Sequence, residues 1–275
     1  MLSRQRFEAV TQLFFDVSGI RLAEHKRPLV VSRLQKLAQE KGCNTIDDYV
    51  DGLIKQADPL ELVKVVDKLT TNETYFFREP QHFDFLTDMV SKLRRGTTDF
   101  RIWSAASSSG EEAYSIAMLL ADKMGPSGWE IVGTDLSTQM VDNARRALYT
   151  MERARNVPQP YLKKFCLKGE GQYDGYLLID KSLRSRARFM GANLTQDLPD
   201  IGLFDVIFLR NVLIYFDNPG KEDIVKRVIT RLKPGGYLFT GHAESLANLN
   251  VPLKTIAPTV HAAARPGTSC PSAAK

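Results

Sequence analysis

An alternation of short apolar runs with helix-forming segments, over the last two thirds of the chain, limits its fold most strongly. Residues 100–106, 130–134 and 204–209 each read as a strand, and shorter runs at 188–191 and 237–241 add two more. Helix-like segments separate most of these runs, and strands joined through helices pair in parallel. The pattern therefore predicts an α/β fold with a parallel, doubly wound sheet covered by helices on both faces.

The beginning of the chain has apolar residues at helical spacing instead. They recur every three or four positions from Phe7 to Val17, and Gly19 then provides a stop. Thr45 followed three residues later by Asp48 has the form of a capping box and predicts another helix start. We therefore expect a helical N-terminal domain in front of the sheet.

These patterns predict the following domain layout. A helical domain spans residues 1–80, and a linker with a connecting helix spans 81–98. The α/β domain spans 99–263, and a tail rich in Pro, Gly, Ser and Ala, residues 264–275, is expected to be disordered. Glycines interrupt the rhythm at about 163–182, which predicts a small antiparallel β-subdomain inserted in the α/β domain.

Composition excludes several classes of protein. No apolar run approaches the ~20 residues of a membrane span, and the N-terminus lacks the apolar stretch of a secretory signal, so we expect a cytoplasmic protein without membrane insertion. The three cysteines, Cys43, Cys166 and Cys270, are scattered, and the histidines have no ligand spacing, so we expect no metal site. The net charge of +5 permits nucleic acid but equally suits an acidic protein partner.

The loop after the first predicted strand indicates a small-molecule site. Residues 104–110 are small, which allows a ligand to approach the backbone, and Glu111 and Glu112 open the next helix. Two carboxylates there would repel a pyrophosphate but attract a cationic sulfonium and ammonium, which favours S-adenosylmethionine over NAD. Asp135 ends the second strand, where a carboxylate accepts hydrogen bonds from ribose hydroxyls. The alternative is that both glutamates only complement the helix dipole and Asp135 only opens a helix.

Longer motifs resemble those of the chemotaxis receptor methyltransferases, the CheR family. They include Thr-Thr-Asn-Glu-Thr-Tyr-Phe-Phe-Arg-Glu at 70–79, Arg-Ile-Trp-Ser-Ala-Ala at 101–106 and the run at 204–217 that contains Leu-Arg-Asn-Val-Leu-Ile-Tyr-Phe-Asp. Further matches are His82-Phe83, residues 110–117, Pro-Gly-Gly-Tyr-Leu at 234–238 and Gly-His-Ala-Glu-Ser-Leu at 241–246. Ala113, Ala243 and His261 depart from the family pattern, but none of them is expected to contact a cofactor.

The resemblance implies a Rossmann-like class I methyltransferase that transfers a methyl group from S-adenosylmethionine to receptor glutamates, with S-adenosylhomocysteine as the product. It implies cofactor contacts at Asn72, Thr74, Arg78, Glu111, Asp135, Asn193, Leu194, Arg210 and Asn211. A glutamate carboxylate is ionised near neutral pH, so the reaction needs positioning rather than a general base. Arg78 and Tyr215 are the candidates for holding it, although Arg78 could instead pair with Glu73 or Glu79.

Two partner surfaces follow for a chemoreceptor. The segment 26–41 carries an excess of basic residues that suits acidic receptor helices: Lys26, Arg27, Arg33, Lys36 and Lys41. The glycine-rich turn at 168–176 resembles that of family members that bind the C-terminal peptide of a receptor. We expect no nucleic-acid partner. A methyltransferase with another substrate, or a non-catalytic adaptor that binds S-adenosylmethionine, remains the alternative.

Overall fold

The helical domain forms as the spacing predicts. The computed structural model describes residues 2–93 and 99–263. Its first helices are α1 (Arg4–Ser18), α2 (Arg27–Glu40), α3 (Ile46–Gln56) and α4 (Pro59–Leu69). Gly19 ends α1 with a φ of 70°, and Thr45 with Asp48 forms the capping box of α3. The apolar stripes of the four helices face one another in a core of their own, which includes Phe14, Leu34, Val50 and Val65.

The α/β domain contains the remaining elements. Its helices are α5 (Pro80–Ser91), α6 (Glu111–Met124), α7 (Thr138–Arg146), α8 (Gln159–Phe165), α9 (Lys181–Arg184) and α10 (Asn218–Ile229). Its strands are β1 (Phe100–Ala105), β2 (Trp129–Asp135), β3 (Leu148–Thr150), β4 (Cys166–Lys168), β5 (Tyr176–Ile179), β6 (Ala187–Gly191), β7 (Phe204–Leu209), β8 (Leu232–Thr240), β9 (Leu253–Ala257) and β10 (Val260–Ala263). The predicted α/β class is confirmed.

The main sheet has seven strands in the order β6-β2-β1-β7-β8-β10-β9. The first five are parallel, but β10 pairs antiparallel with both β8 and β9. The predicted parallel sheet is therefore extended at this edge by an antiparallel pair of strands that the sequence analysis did not identify. The reason is local: β9 and β10 are joined by the short turn Pro258–Thr259, with Thr259 at a φ of 61°, and a turn this short can only reverse the chain. The strands are also half exposed, so their apolar signal is weak.

The sheet is buried on both faces. Neighbouring residues of a strand point in opposite directions, so Ile102 enters one core and Trp103 the other. Helices α5 and α6 cover the first face, and α10 covers the second. The stretch predicted as a linker and connecting helix thus holds α5, whose Phe83, Leu86 and Val90 pack into the α/β core. Residues 94–98 and the predicted disordered tail lie outside the described residues.

A second, three-stranded antiparallel sheet has the order β3-β5-β4. This is the predicted inserted subdomain, but it begins earlier than expected, because β3 follows α7 after the single residue Ala147. Three residues are too few for a recognisable strand pattern, and pairing with β5 makes them a strand.

Polar contacts join the helical domain to the sheet. The Asn193 side chain donates from Nδ2 to the Val17 carbonyl at 2.6 Å, and Thr138 donates to the carboxylate of Asp67 at 2.9 Å. These contacts hold α1 and α4 above the carboxyl ends of the parallel strands. Among the described residues, no helix is both long and apolar enough to cross a bilayer.

Candidate active site

A cavity lies between the helical domain and the carboxyl ends of the parallel strands. The sequence motifs meet there from five segments of the chain. The predicted site residues that line it are Asn72, Thr74, Arg78, Asp135, Asn193, Leu194, Arg210, Asn211 and Tyr215. Ligands of doubly wound sheets bind at this end, so this cavity is the candidate active site. Two of its walls are formed by the β1 loop (residues 106–110) and the β7 loop (residues 210–216).

Asp135 stands at the end of β2 with only 7% of its surface exposed. Its Oδ2 accepts a hydrogen bond from the backbone N–H of Ser108 at 2.7 Å, and its Oδ1 accepts one from Ser137 at 2.9 Å. Burial raises the pKa of this carboxyl to about 6, against the opposing effect of both hydrogen bonds. The carboxylate is therefore fixed in orientation, and its remaining lone pairs are available for the hydroxyl groups of a ligand.

Arg210 is the buried cation of the site, with 1% of its side chain exposed. Its guanidinium lies 3.4 Å from Glu79 and 3.4 Å from Glu112, and it donates to the Arg78 carbonyl. Its Nε and Nη1 have no hydrogen-bond partner among the described residues. A buried donor without a partner is costly, so a ligand acceptor such as a carboxylate is expected beside Arg210.

The two neighbouring glutamates of α6 have different surroundings. Glu112 lines the cavity, receives a hydrogen bond from Ser104 at 2.7 Å and faces Arg210. Glu111 does not line it: its side chain is fully buried, accepts a hydrogen bond from Ser109 at 2.8 Å and pairs with Arg153. The carboxylate that the structure brings to the cavity is therefore that of Glu112, a residue that the resemblance did not assign.

The segment 70–79 becomes a wall of the cavity because polar contacts hold it against the sheet. Ser108 donates to the carbonyl of Asn72 at 3.0 Å, and the N–H of Phe77 donates to Ser115 at 2.9 Å. The Asn72 amide itself donates to Thr70 at 3.2 Å. These contacts leave Thr74 and Arg78 facing the cavity.

Arg78 and Tyr215, the candidates for holding a substrate, both line the cavity. Arg78 donates to the carbonyl of Glu73 at 3.0 Å and lies over the Tyr75 ring at 5.4 Å. Within the described ranges, no salt bridge joins it to Glu73 or Glu79, the partners considered above, since Glu79 pairs with Arg210. Burial raises the pKa of Tyr215, so its hydroxyl stays protonated and can donate at neutral pH.

Asn193 and Leu194 line the cavity next to the helical domain. The Asn193 side chain is already engaged, because its Oδ1 accepts from the backbone and hydroxyl of Thr195 while its Nδ2 donates to Val17. Its amide therefore joins the two domains, and only its backbone and the Leu194 side chain remain for a ligand.

Sequence reasoning missed the contribution of the α1–α2 connection. The connection lines the cavity with three apolar and three basic residues, namely Ile20, Leu22, Ala23, Arg21, His25 and Lys26. No short-range pattern marks these residues as part of a site, because the next lining segment begins only at Leu69, more than forty positions after Lys26. The three basic residues were the available signal, and of these only Lys26 was included in the basic segment.

One further cluster lies behind Arg210. Ligand atoms of Glu79, His82 and His242 come within 4.8 Å of one another, although their sequence spacing gave no metal motif. Arg210 lies 3.4 Å from the same Glu79 oxygen that would bind a metal. A guanidinium already neutralises this carboxylate, and a second cation would be repelled, so the cluster is interpreted as structural.

Family comparisons cover nearly the whole chain. Residues 5–70 match the family model described as "CheR methyltransferase, all-alpha domain", and residues 72–261 match "CheR methyltransferase, SAM binding domain". The chemotaxis protein methyltransferases of Salmonella typhimurium and Escherichia coli are each 37% identical over 251 residues, which is 90% of this chain and 86% and 87% of theirs. Chemotaxis protein methyltransferase 2 of Pseudomonas aeruginosa is 36% identical over 265 residues, 95% of this chain and 94% of its own.

The cofactor of the site is S-adenosylmethionine, as predicted. The donor set fits its functional groups. The unpartnered donors of buried Arg210 suit its carboxylate, Glu112 suits its positive charges, and Asp135 suits its ribose hydroxyls. The small residues of the β1 loop leave the backbone accessible. The carboxylate, the positive charges and the ribose hydroxyls of the cofactor thus each have a complementary side chain on the cavity wall.

Proposed function

The chain belongs to the CheR methyltransferase family, and on that premise we propose that it esterifies glutamate side chains of bacterial chemoreceptors. Bound S-adenosylmethionine supplies an electrophilic methyl group. The glutamate carboxylate supplies the electron pair, so that an oxygen–methyl bond forms as the sulfur–methyl bond breaks, and the products are a methyl ester and S-adenosylhomocysteine. No proton is transferred in this reaction.

The observation that carries the proposal is the pairing of charges in the cavity. Glu79 and Glu112 both face Arg210, and the carboxylate of Asp135 is held by two backbone N–H groups. Each of these three carboxylates is already held by a partner, so the buried carboxylates of the site serve binding rather than proton removal. An acceptor that is already ionised, such as glutamate, needs no base.

Arg78 and Tyr215 are proposed to hold the substrate carboxylate. Arg78 uses one Nη1 donor on the Glu73 carbonyl, which leaves other guanidinium donors for a substrate. Tyr215 offers a neutral O–H. Together they orient the carboxylate for in-line attack, which is where most of the acceleration of such a reaction arises. A single neutral donor beside one cation restrains the oxygen without fully neutralising it.

The basic side chains at the rim of the cavity favour an acidic macromolecular substrate. Arg21, His25 and Lys26 lie at one side of it and Arg78 at another. Arg33, predicted to face the receptor, donates to the carbonyls of Leu69 and Thr70 and therefore stabilises the end of α4. We propose that an acidic receptor helix approaches mainly along Lys26 and its neighbours in the α1–α2 connection.

The β-subdomain is proposed to bind the C-terminal peptide of a receptor. Leu167 on β4 and Tyr173 in the following turn are 53% and 49% exposed, and Lys168 is exposed between them. An apolar and basic edge strand suits an aromatic and acidic peptide added as a further strand. Titration with the C-terminal peptides of the receptors from the same cell tests this proposal. Failure of every peptide to bind more tightly than ~100 μM, about −5.5 kcal/mol, would reject it.

The main test is transfer of a tritiated methyl group from S-adenosylmethionine to membranes that contain receptors. We expect counts that are released by base, as a methyl ester requires, and that disappear when the acceptor glutamates are replaced by alanine. Base-stable counts would indicate another acceptor atom. No counts, with S-adenosylhomocysteine still bound, would favour the adaptor alternative.

A further inference from the structure

Glu244 is a buried carboxylate that contacts none of the proposed ligands. It has 4% of its surface exposed and lies after β8, outside the cavity lining. Its Oε2 accepts from the backbone N–H groups of Asn211 and Gly241, both at 2.7 Å. Its Oε1 accepts from Leu213 at 2.6 Å and from Ile214 at 3.3 Å. Three of these four donors belong to the β7 loop.

The conformation of the β7 loop requires such an anchor. Asn211 has a φ of 58°, in the left-handed region that costs energy for a non-glycine residue and persists only where its surroundings hold it. Its backbone N–H is bound by Glu244, and its side-chain amide donates to Glu79 at 3.2 Å. Both ends of this residue are therefore fixed by carboxylates from other elements.

Gly241 makes the contact sterically feasible. A Cβ at this position would lie 2.7 Å from the side-chain nitrogen Nδ2 of Asn211 and 2.7 Å from Glu244 Oε2. Only a residue without a side chain lets the strand end approach the β7 loop this closely. In the segment 241–244, Gly241 therefore leaves room for the β7 loop, and the carboxylate of Glu244 binds the backbone of that loop.

The β7 loop contributes five residues to the cavity wall, among them Asn211 and Tyr215. Between them, the backbone bound by Glu244 includes Leu213 and Ile214, the residues directly before Tyr215. A shift of this backbone would move the Tyr215 hydroxyl relative to Arg78. A shift of about 1 Å in a positioned group lowers the rate by roughly 100-fold.

We propose that Glu244 is a positioning residue, whose carboxylate holds the β7 loop so that Tyr215 faces the methyl acceptor. This inference rests on the proposed function for the role of Tyr215, but the contact itself does not. A carboxylate suits the task because its two oxygens provide about four acceptor sites and no donor. Glutamine would turn an NH₂ group toward two of the four N–H donors.

The first experiment measures amide hydrogen exchange in the Glu244→Gln variant without any methyl acceptor. The two amides that face the new NH₂ group, either Asn211 with Gly241 or Leu213 with Ile214, should exchange at least about tenfold faster than in the wild type, since they lose their acceptor. The matched control is Glu61→Gln, which changes an equally buried carboxylate of the helical domain that binds Tyr49. Unchanged exchange in the β7 loop, or an equal increase in the control, would overturn the proposal.

The second experiment is a double-mutant cycle with Tyr215→Phe. Glu244→Gln should lower kcat by about 10- to 100-fold in the wild-type background, and by much less when Tyr215 is already changed, because one variant then acts through the other. Equal losses in both backgrounds would reduce Glu244 to a structural role and overturn the proposal. If the wild-type enzyme methylated no receptor, the proposed function would be rejected instead. The exchange experiment would still test whether Glu244 holds the β7 loop.

Discussion

The β1 loop and the β7 loop face each other across the cavity but are held in different ways. The β1 loop keeps its shape through its own backbone, with positive φ at Ala106, Ser108 and Gly110, and through bonds to the adjacent end of β2. The β7 loop is held by the carboxylate of Glu244, about thirty residues away in sequence. The β1 loop therefore relies on small residues that adopt unusual backbone angles, whereas the β7 loop relies mainly on one buried carboxylate.

This difference explains which half of the site has a recognisable sequence. Small residues and glycine in the β1 loop directly indicate close approach of a ligand. The β7 loop contains Val212, Leu213 and Ile214, which by composition resemble a buried strand rather than a binding loop. Only the family resemblance identified it as functional. The comparison can be tested at the Arg210 charge cluster, then at the β1 side of the cavity and at its rim.

The largest expected effect is loss of Arg210, the buried residue at the start of the β7 loop that lies between Glu79 and Glu112. Arg210→Met would leave Glu79 and Glu112 facing each other without a cation, and breaking a buried pair by removing one partner costs about 3–5 kcal/mol of unfolding free energy. Urea denaturation measures it. The control is Arg4→Met, from a fully exposed pair with Glu8, which should leave the denaturation midpoint essentially unchanged. Equal losses in the two variants would mean that Arg210 bridges nothing essential.

On the β1 side, Asp135→Ala should weaken the binding of S-adenosylhomocysteine by about 1–3 kcal/mol, the scale of hydrogen bonds to a charged group. Calorimetry gives the value directly, and Asp197→Ala, an exposed carboxylate outside the cavity lining, serves as the control. An unchanged affinity would show that Asp135 does not bind the ribose. It would also contradict the main reason for placing the cofactor beside the β1 loop.

The two neighbouring glutamates of α6 should differ in their effects on cofactor affinity and on stability. Glu112→Gln should weaken cofactor binding by about 1–2 kcal/mol, since it removes a charge that faces the ligand. Glu111→Gln should leave that affinity nearly unchanged and lower stability instead, because its partner is Arg153. The reverse result, a larger affinity loss for Glu111→Gln, would support the assignment made from the family resemblance.

Cofactor affinity should depend on pH through Asp135, whose pKa burial raises to about 6. Hydroxyl donors favour the ionised carboxylate, so binding is strong above pH 6 and weakens as the pH falls through this value. At pH 5 the affinity should be about tenfold lower than at pH 7, from the population of the ionised form. Burial also raises the pKa of Glu112, so calorimetry on Asp135→Asn isolates the Asp135 contribution. A wild-type profile that matches this variant would contradict the assignment.

The smallest expected effect lies at the rim, outside both loops. Lys26→Glu should raise the KM for the receptor about threefold and reduce its dependence on salt, while cofactor affinity stays unchanged. Lys36→Glu, on the same helical domain but away from the cavity, is the matched control. If both variants behave alike, the receptor approaches along a broader basic surface of α2.

Much of the fold followed from local patterns. Gly19, the capping box at Thr45 and the small residues before Glu111 act over a few residues, and the helices and strands that they predict are observed. The antiparallel edge and the start of the β-subdomain at β3 were missed, because strands of three to five residues carry little periodicity and depend on their pairing partners. Sequence patterns therefore worked wherever the structural cause was local.

The sequence alone determined the α/β class, the helical domain in front of it and a ligand site around the β1 loop and Asp135, because periodicity and strand ends are local properties. Tertiary structure decided which glutamate of α6 enters the cavity, since adjacent helix residues differ by about 100° and only packing selects the face. It also decided that the α1–α2 connection covers the cofactor site and that Glu244 holds the β7 loop. These contacts join residues far apart in the chain, and their energies exist only once the domains are packed together.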